Sequence, residues 1–185
     1  MTNQERYLRQ TQLPGFGEMG QKKLAQAKVL VIGAGGLGVP VLQYLTGMGV
    51  GYIGIMDDDV VSLSNLHRQV IYSPEDVGLP KVNCCVPRLQ QLNSEITITG
   101  FPMALSKNNA LEMVAEFDAV VDATDNFDAR YLINDACVIL QKPFIYGALQ
   151  QFEGHVSVFN YQGGPTYRCL YPTPPSRGQI GRAHV

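Results

Sequence analysis

The most informative segment of this chain is Lys28-Val-Leu-Val-Ile-Gly-Ala-Gly-Gly-Leu-Gly38. The four residues after Lys28 are aliphatic, as in a strand buried on both faces, and the six that follow match G-x-G-x-x-G. Glycines at these positions permit a tight turn, let backbone N–H groups approach a phosphate and allow close packing of a helix on the strand. The stretch therefore predicts a strand, a phosphate-binding loop and a helix that ends near Met48. A tight turn without a ligand is the alternative.

Short apolar runs alternate with amphipathic stretches along the rest of the chain, which is typical of a parallel sheet with crossover helices. The predicted helices after the glycine loop cover 81–92, 108–117 and 128–140, and another, 18–27, precedes the first strand. The predicted strands are 28–33, 52–56, 96–101, 119–123, 143–148 and 155–160, the last with one exposed face. Pro87 is expected to kink its helix. The pattern predicts an α/β, doubly wound, Rossmann-like fold with a mostly parallel sheet, helices on both faces and antiparallel later strands.

Composition excludes several classes of protein. The chain has 185 residues, 45% of them hydrophobic, which is enough for one domain with a sizeable core. Its net charge of −2 argues against a nucleic-acid binder. No apolar run approaches the roughly 20 residues that cross a bilayer, and the N-terminus lacks a secretory signal. Four cysteines are too few for a disulfide framework, so we expect a cytoplasmic protein without a membrane or nucleic-acid partner.

The C-terminal part of the sequence differs from the rest, because it is rich in proline and glycine and then loses all hydrophobic periodicity. We expect residues 1–175 to form an ATP-binding domain and residues 176–185 to be an irregular tail. The sequence suggests a truncated chain whose last residues are foreign.

An acidic residue follows the second predicted strand, where nucleotide-binding folds bind a ribose. Asp57 stands 19 residues after Gly38, and a carboxylate there accepts hydrogen bonds from ribose hydroxyls. The glycine loop and Asp57 together predict a bound nucleotide without identifying it.

Cations in two later segments favour a nucleoside triphosphate over a dinucleotide, because a triphosphate carries more charge. The glycine loop lacks the Lys-Ser/Thr pair of a P-loop. Ser62-Leu-Ser-Asn-Leu-His-Arg-Gln69 supplies Asn65 and Arg68, and Lys81 opens the next helix. Together they predict a phosphate site, although each alone is better explained as a solvated surface charge.

Two aspartates stand at the carboxyl end of the fourth predicted strand, in Val121-Asp-Ala-Thr-Asp-Asn126. A doubly wound sheet places Asp125 in the crevice that faces the glycine loop. A carboxylate beside a polyphosphate needs a cation between them, so Asp125 is predicted to bind Mg²⁺. Helix capping is the alternative for Asp125 and the preferred interpretation of Asp122.

The order and spacing of these motifs resemble the ThiF/MoeB/HesA family, the bacterial relatives of ubiquitin-activating enzymes. The resemblance runs from Arg6 to Pro175 and rests on Arg6-Tyr-x-Arg-Gln10, the glycine loop, Asp57-x-Asp59, Ser64-Asn-Leu-x-Arg-Gln69, Pro80-Lys81, Thr124-Asp-Asn126 and Tyr167-Arg-Cys-Leu170.

Members of that family adenylate the C-terminal glycine carboxylate of a ubiquitin-like sulfur carrier, either ThiS for thiamine or MoaD for molybdopterin. The resemblance implies ATP, Mg²⁺ and a homodimer in which Arg9 reaches the nucleotide of the neighbouring subunit. The residues expected to act on the reacting nucleotide are Arg68, Lys81, Asp125 and Arg9. The residues expected to contact the nucleotide are Gly33, Gly35, Gly36, Gly38, Asp57, Asp59, Ser64, Asn65, Leu66, His67, Arg68, Lys81, Asp125 and Asn126.

The sequence departs from the family at its zinc site. Many members have two C-x-x-C pairs, and Thr166 stands where the first ligand of the first pair belongs, ahead of Cys169. We therefore expect no structural zinc in this chain. Cys84 and Cys85 are expected to be packing residues.

Two other functions share some of these motifs. A nicotinamide-dependent oxidoreductase has the same glycine loop and ribose aspartate but gives no reason for Arg68, Lys81 and Asp125 to cluster. An inactive nucleotide-binding interaction module is the third interpretation. The motifs do not distinguish the thiamine from the molybdopterin carrier.

Overall fold

A computed structural model describes residues 3–174, with side chains from Glu5 onward, and its centre is a six-stranded sheet. The strands are β1 (Lys28–Ile32), β2 (Tyr52–Met56), β3 (Thr97–Phe101), β4 (Ala119–Asp122), β5 (Phe144–Gln150) and β6 (Glu153–Phe159). Their order is β3-β2-β1-β4-β5-β6. β1 to β5 are parallel, and β6 is antiparallel to β5. The predicted doubly wound α/β fold is confirmed.

Helices cover both faces of the sheet. The helices are α1 (Asn3–Arg6), α2 (Leu8–Thr11), α3 (Gly17–Gln26), α4 (Gly38–Met48), α5 (Lys81–Leu92), α6 (Ala110–Ala115), α7 (Phe127–Ile139) and α8 (Tyr167–Leu170). One core layer joins α4 and α5 to β1–β3 through residues such as Leu42, Ile53 and Leu89. The other joins α6, α7 and α8 to the opposite face through Val114, Ile133 and other side chains. Alternating strand residues feed the two layers, as the side-chain period of two requires.

Most predicted elements lie within a residue or two of the observed ones, with a few differences. The short N-terminal helices α1 and α2 were not predicted, because neither has a hydrophobic period. α6 is shorter than the predicted 108–117, since Asn109 ends the preceding turn with its side chain bonded to Ser106 N and Ala104 O. Pro87 lies inside α5 on its exposed side. The predicted tail, 176–185, lies outside the described residues.

The carboxyl and amino ends of the parallel strands have different neighbours. The strand order reverses between β1 and β4, and in such folds the crevice at the carboxyl ends of these strands is the usual ligand site. The N-terminal segment lies at the opposite side, by the amino ends of the strands. Arg6 Nη1 donates to Leu92 O (3.0 Å) at the end of α5, and Gln10 Nε2 donates to Met48 O (2.8 Å) at the end of α4.

Candidate nucleotide-binding site

The glycine loop crosses the end of β4 at a distance that excludes side chains. Gly33 has φ +100°, and a Cβ there would lie 2.6 Å from Ala123 O. A Cβ on Gly38 would lie 1.9 Å from Gly33 O, so α4 begins directly against the loop. Gly33 therefore requires glycine for its backbone conformation and for close packing, and Gly38 requires it for close packing alone.

Ala34, inside this loop, is held at both of its backbone polar groups. Asp57 Oδ2 accepts from Ala34 N (2.6 Å), and Tyr72 donates its hydroxyl to Ala34 O (2.9 Å). Asp57 Oδ1 also accepts from Asp59 N (2.8 Å). Each carboxylate oxygen can accept more than one hydrogen bond, so Asp57 retains acceptor capacity for a ligand hydroxyl.

Arg68 lies on the glycine loop. A Cβ added to Gly36 would lie 3.3 Å from Arg68 Cδ and Nε. Its guanidinium group makes one long contact, from Nη1 to Ser64 O at 3.5 Å, and no ion pair with another described residue. The group is therefore available to an anion at the loop. The buried Gln69 stands beside it, and its Oε1 has no hydrogen-bond partner among the described residues.

Lys81 is buried at the start of α5 and turned toward the aspartates after β2. Its Nζ lies 2.7 Å from Asp59 Oδ2 and 3.9 Å from Asp57 Oδ2. The backbone fixes this arrangement, because Lys81 N donates to Asp59 O (3.0 Å). Within the described chain, Asp57, Asp58 and Asp59 form a carboxylate group compact enough for a metal ion. The Lys81 ammonium group already balances charge there, so this cluster is a poor cation site.

The aspartates after β4 have separate roles. Asn126, not either aspartate, caps α7, accepting at Oδ1 from Ala129 N (2.8 Å). The capping interpretation of Asp122 is therefore wrong. Asp122 is buried and pairs with Arg130 Nε (2.9 Å), because its position in β4 directs its side chain to the face of the sheet that α7 covers. Asp125 is exposed on the cleft wall and makes no hydrogen bond or ion pair to another described residue.

A cleft of about 1000 Å³ joins these groups at the carboxyl edge of the sheet. The predicted residues that line it are Gly33, Gly35, Gly36, Asp57, Asp59, Asn65, Arg68, Lys81, Asp125 and Asn126. The predicted residues outside its lining are Gly38, Ser64, Leu66, His67 and Arg9. Gly38 has the packing role described above, Leu66 packs against the core and His67 is exposed.

The cleft carries an excess of acid. Six aspartates and four basic residues line it. Arg168 is paired with Asp135 through two contacts of 2.7 Å, and Lys81 is paired with Asp59. A polyphosphate in this cleft therefore needs a further cation to offset charge repulsion.

Sequence reasoning missed part of the lining and its support. Residues 103–107, which follow β3, form one wall of the cleft. Their position after the carboxyl end of a strand was the available signal. Tyr72 and Arg130 hold two of the cleft loops in place, because they donate to the backbone oxygens of Ala34 and Thr124. Neither residue belongs to a motif that the sequence analysis used.

The cysteines agree in part with their predicted packing role. Cys85 is fully buried in the core, and burial raises the pKa of its thiol to about 12. Cys84 is partly buried and packs against the same layer. Cys169 is exposed, and its Sγ lies 3.4 Å from Thr166 Oγ1.

The doubly wound sheet, the glycine loop and Asp57 at the end of β2 are typical of nucleotide-binding proteins of the Rossmann-like class. Residues 7–185 match the ThiF family, and the chain belongs to that family. The resemblance drawn from the motifs is confirmed.

Several relatives have adenylyltransferase names. A sulfur carrier protein adenylyltransferase of Thermus thermophilus is 51% identical over 95% of this chain and 67% of the relative. An adenylyltransferase and sulfurtransferase MOCS3 of Anopheles gambiae is 53% identical over 92% of this chain and only 38% of the relative. These names agree with the predicted adenylyltransferase class and do not separate the thiamine and molybdopterin pathways.

Solved structures have the same fold. E. coli MccB, crystallised with AMPCPP and MccA, is 28% identical with a TM-score of 0.82 over 98% of this chain and 54% of that one. E. coli tRNA N6-threonylcarbamoyladenosine dehydratase, TcdA, is 26% identical with a TM-score of 0.75 over 81% and 63% of the two chains. The chain thus spans between about half and two thirds of each of these two proteins. Among residues 3–174, no helix is long and apolar enough to cross a membrane.

Proposed function

We propose that this chain carries the adenylation site of an ATP-dependent adenylyltransferase for a ubiquitin-like sulfur carrier of the ThiS or MoaD type. The observation that carries the proposal is the Arg68 guanidinium group on Gly36, which forms no ion pair with another described residue, in a cleft that also presents the Asp125 carboxylate, which has no hydrogen-bond or ion-pair partner within residues 3–174. One group suits a phosphate and the other suits a cation that accompanies phosphates. A dinucleotide oxidoreductase has no use for this combination.

The proposed reaction joins the carrier to AMP. A carboxylate oxygen of the carrier's C-terminal glycine attacks the α-phosphorus, an acyl–phosphate bond forms, the bond to the β-phosphate breaks and pyrophosphate leaves. No general base is needed, because the carboxylate is ionised at neutral pH. The residues proposed to act are Asp57 on the ribose and Asn65, Arg68 and Lys81 on the phosphates.

Asp125 fits a Mg²⁺ ligand, because its exposed carboxylate has no hydrogen-bond or ion-pair partner in the described part of the chain and the cleft is acidic. Mg²⁺, when bound with ATP, offsets phosphate charge in this acidic cleft. Lys81 must share its ammonium group between Asp59 and a phosphate. Because its Nζ already lies close to Asp59, the Lys81–phosphate contact costs more free energy than the other proposed contacts.

We expect Asp125→Ala to abolish carrier-dependent ATP–pyrophosphate exchange and to leave the fold intact, because the exposed side chain bonds to no other residue that the structure describes. Asp128→Ala is the matched control, since Asp128 is also exposed and lines the same cleft. The exchange is measured with ThiS-type and MoaD-type carriers in parallel, which also identifies the partner. Normal exchange by Asp125→Ala, or tighter wild-type binding of NAD than of ATP–Mg²⁺, contradicts the proposal.

The proposal includes a cytoplasmic homodimer in which Arg9 acts on the partner's nucleotide. Arg9 lies in α2, and neighbouring residues of α1 and α2 contact the ends of α4 and α5, at the edge opposite the cleft. Arg9 is exposed there and does not line the cleft of its own chain. The unpaired thiols of all four cysteines suit a reducing compartment.

Mixed dimers test the role of Arg9. An Arg9→Ala subunit and an Asp125→Ala subunit, each inactive alone, should regain part of the exchange activity when mixed. If Arg9 acts in trans, both lesions fall in one site of the mixed dimer and the other site is intact. A mixture that stays inactive after confirmed subunit exchange contradicts this role.

A further inference from the structure

We propose that Arg130 and Asp122 form a positioning pair that holds the peptide between Thr124 and Asp125 and so aims the Asp125 carboxylate at the cleft. The inference rests on the proposed function of Asp125 and assigns a role to two residues that do not line the cleft. It gives a reason for an ion pair beneath the cleft floor.

The pair engages every polar group of Thr124. Asp122 Oδ1 accepts from Thr124 N (2.9 Å) and from Thr124 Oγ1 (2.6 Å). Arg130 Nη2 donates to Thr124 O (3.2 Å), and Arg130 Nε donates to Asp122 Oδ2 (2.9 Å). Thr124 O belongs to the peptide that carries the nitrogen of Asp125. The orientation of that peptide, and of the side chain that follows it, is therefore fixed from below.

Arg130 is itself held in place by its surroundings. It is 5% exposed, and its Cζ lies 4.7 Å from the Tyr146 ring centroid and 5.3 Å from that of Phe127. A planar guanidinium group between two rings has one orientation in which Nε and Nη2 reach their separate acceptors. A lysine at this position retains the charge but loses the fork, that is, the pair of N–H donors that reach Asp122 and Thr124 O at once.

A purely structural role is the competing explanation. Buried ion pairs add little stability over apolar residues of similar volume. The property to test is therefore whether the hydrogen bonds of the pair orient the peptide between Thr124 and Asp125. A positioning pair controls how much Mg²⁺ improves ATP binding, because Asp125 is the proposed ligand. A structural pair changes only the fraction of folded protein, which affects ATP binding equally with and without Mg²⁺.

The experiment measures the ATP dissociation constant by calorimetry with and without Mg²⁺, on folded protein confirmed by circular dichroism. Thr124→Val removes one donor to Asp122, Thr124→Ser keeps it, and Arg130→Lys removes the fork. We expect Mg²⁺ to improve ATP affinity about three- to tenfold less in Thr124→Val and Arg130→Lys than in wild type, the factor that one hydrogen bond represents. Thr124→Ser should behave as wild type.

Three results overturn the inference: an unchanged Mg²⁺ effect in both Thr124→Val and Arg130→Lys, an equal loss in Thr124→Ser and Thr124→Val, or no Mg²⁺ effect in wild type. The proposed function fails separately. Wild-type protein that binds ATP with a Mg²⁺ effect but catalyses no carrier-dependent exchange contradicts the adenylation proposal and leaves the positioning result standing.

Discussion

The loops after β1 and β4 are both fixed by side chains that bond to their backbone, but the side chains differ in charge. Each holds one residue by both backbone groups, Ala34 in the first loop and Thr124 in the second. The first uses Asp57 and the neutral hydroxyl of Tyr72, which come from two distant segments. The second uses an ion pair whose members are eight residues apart. Since a Cβ on Gly33 would meet Ala123 O, the loops are also in direct contact.

The loss of stability on removing a supporting side chain depends on whether a charge is left buried without a partner. Loss of Tyr72's hydroxyl leaves one neutral carbonyl without its donor. Loss of Arg130 leaves a carboxylate buried without its counter-ion, which is far more costly. Burial raises the pKa of Asp122, and the Arg130 guanidinium group opposes that shift. The second loop is therefore the more vulnerable one.

Arg130→Met should have the largest effect, a loss of about 3–5 kcal/mol in the free energy of unfolding, because Asp122 is left buried and unpaired. Urea denaturation measures it. The double variant Asp122→Asn/Arg130→Met is the control, and it should lose less than the single variant because no charge remains. A single variant within about 1 kcal/mol of wild type would remove the proposed contrast between the loops.

Tyr72→Phe should have an intermediate effect of about 1–3 kcal/mol, since it retains the ring and leaves Ala34 O without its donor in the core. ATP affinity should also fall, because the glycine loop, which we propose to bind the phosphates, loses one anchor. Tyr44→Phe, at a tyrosine that is 74% exposed, is the matched control and should change neither quantity. Equal results for the two variants would show that the first loop does not depend on Tyr72.

The same contrast explains which residues could be predicted from sequence. Asp57 and the glycines were found because their spacing is set by a local strand–loop–helix unit. Asp122 was interpreted as a helix cap, since its sequence neighbours permit that and its inward direction depends on the register of β4 in the sheet. Tyr72 and Arg130 were not singled out, because each acts on a partner that only the tertiary fold brings near.

Arg68 and Lys81 show the limit within the candidate site itself. Both were predicted as phosphate contacts from the charge that a triphosphate requires. Arg68 lies on Gly36 and forms no ion pair with a described residue, whereas Lys81 is paired with Asp59. Sequence spacing placed both at the cleft, but the pairing of Lys81 depends on the backbone bond between Lys81 and Asp59.

The smallest expected effect concerns the segment that presents Tyr72. Directly after it, Asp76 accepts from Ser73 N (2.7 Å) and from Arg88 Nη2 (3.1 Å), which ties the segment to α5. The Arg88 guanidinium group and the Ser73 donors hold the pKa of Asp76 at about 2, below its ordinary 3.8. A carboxyl group with a lowered pKa in the folded state stabilises the fold when ionised.

The sign of the pH effect follows from that shift. The stabilisation by Asp76 is fully present above about pH 4, where the unfolded chain is also ionised, and it is lost as the pH falls toward about 2. The unfolding free energies of wild type and Asp76→Asn should therefore differ most above about pH 4 and converge toward about pH 2. Arg88→Met should show the same convergence, because it removes the largest cause of the shift. A difference that stays constant through this window would mean that Asp76 does not anchor the Tyr72 segment by its charge, and the first loop would then depend on Tyr72 and Asp57 alone.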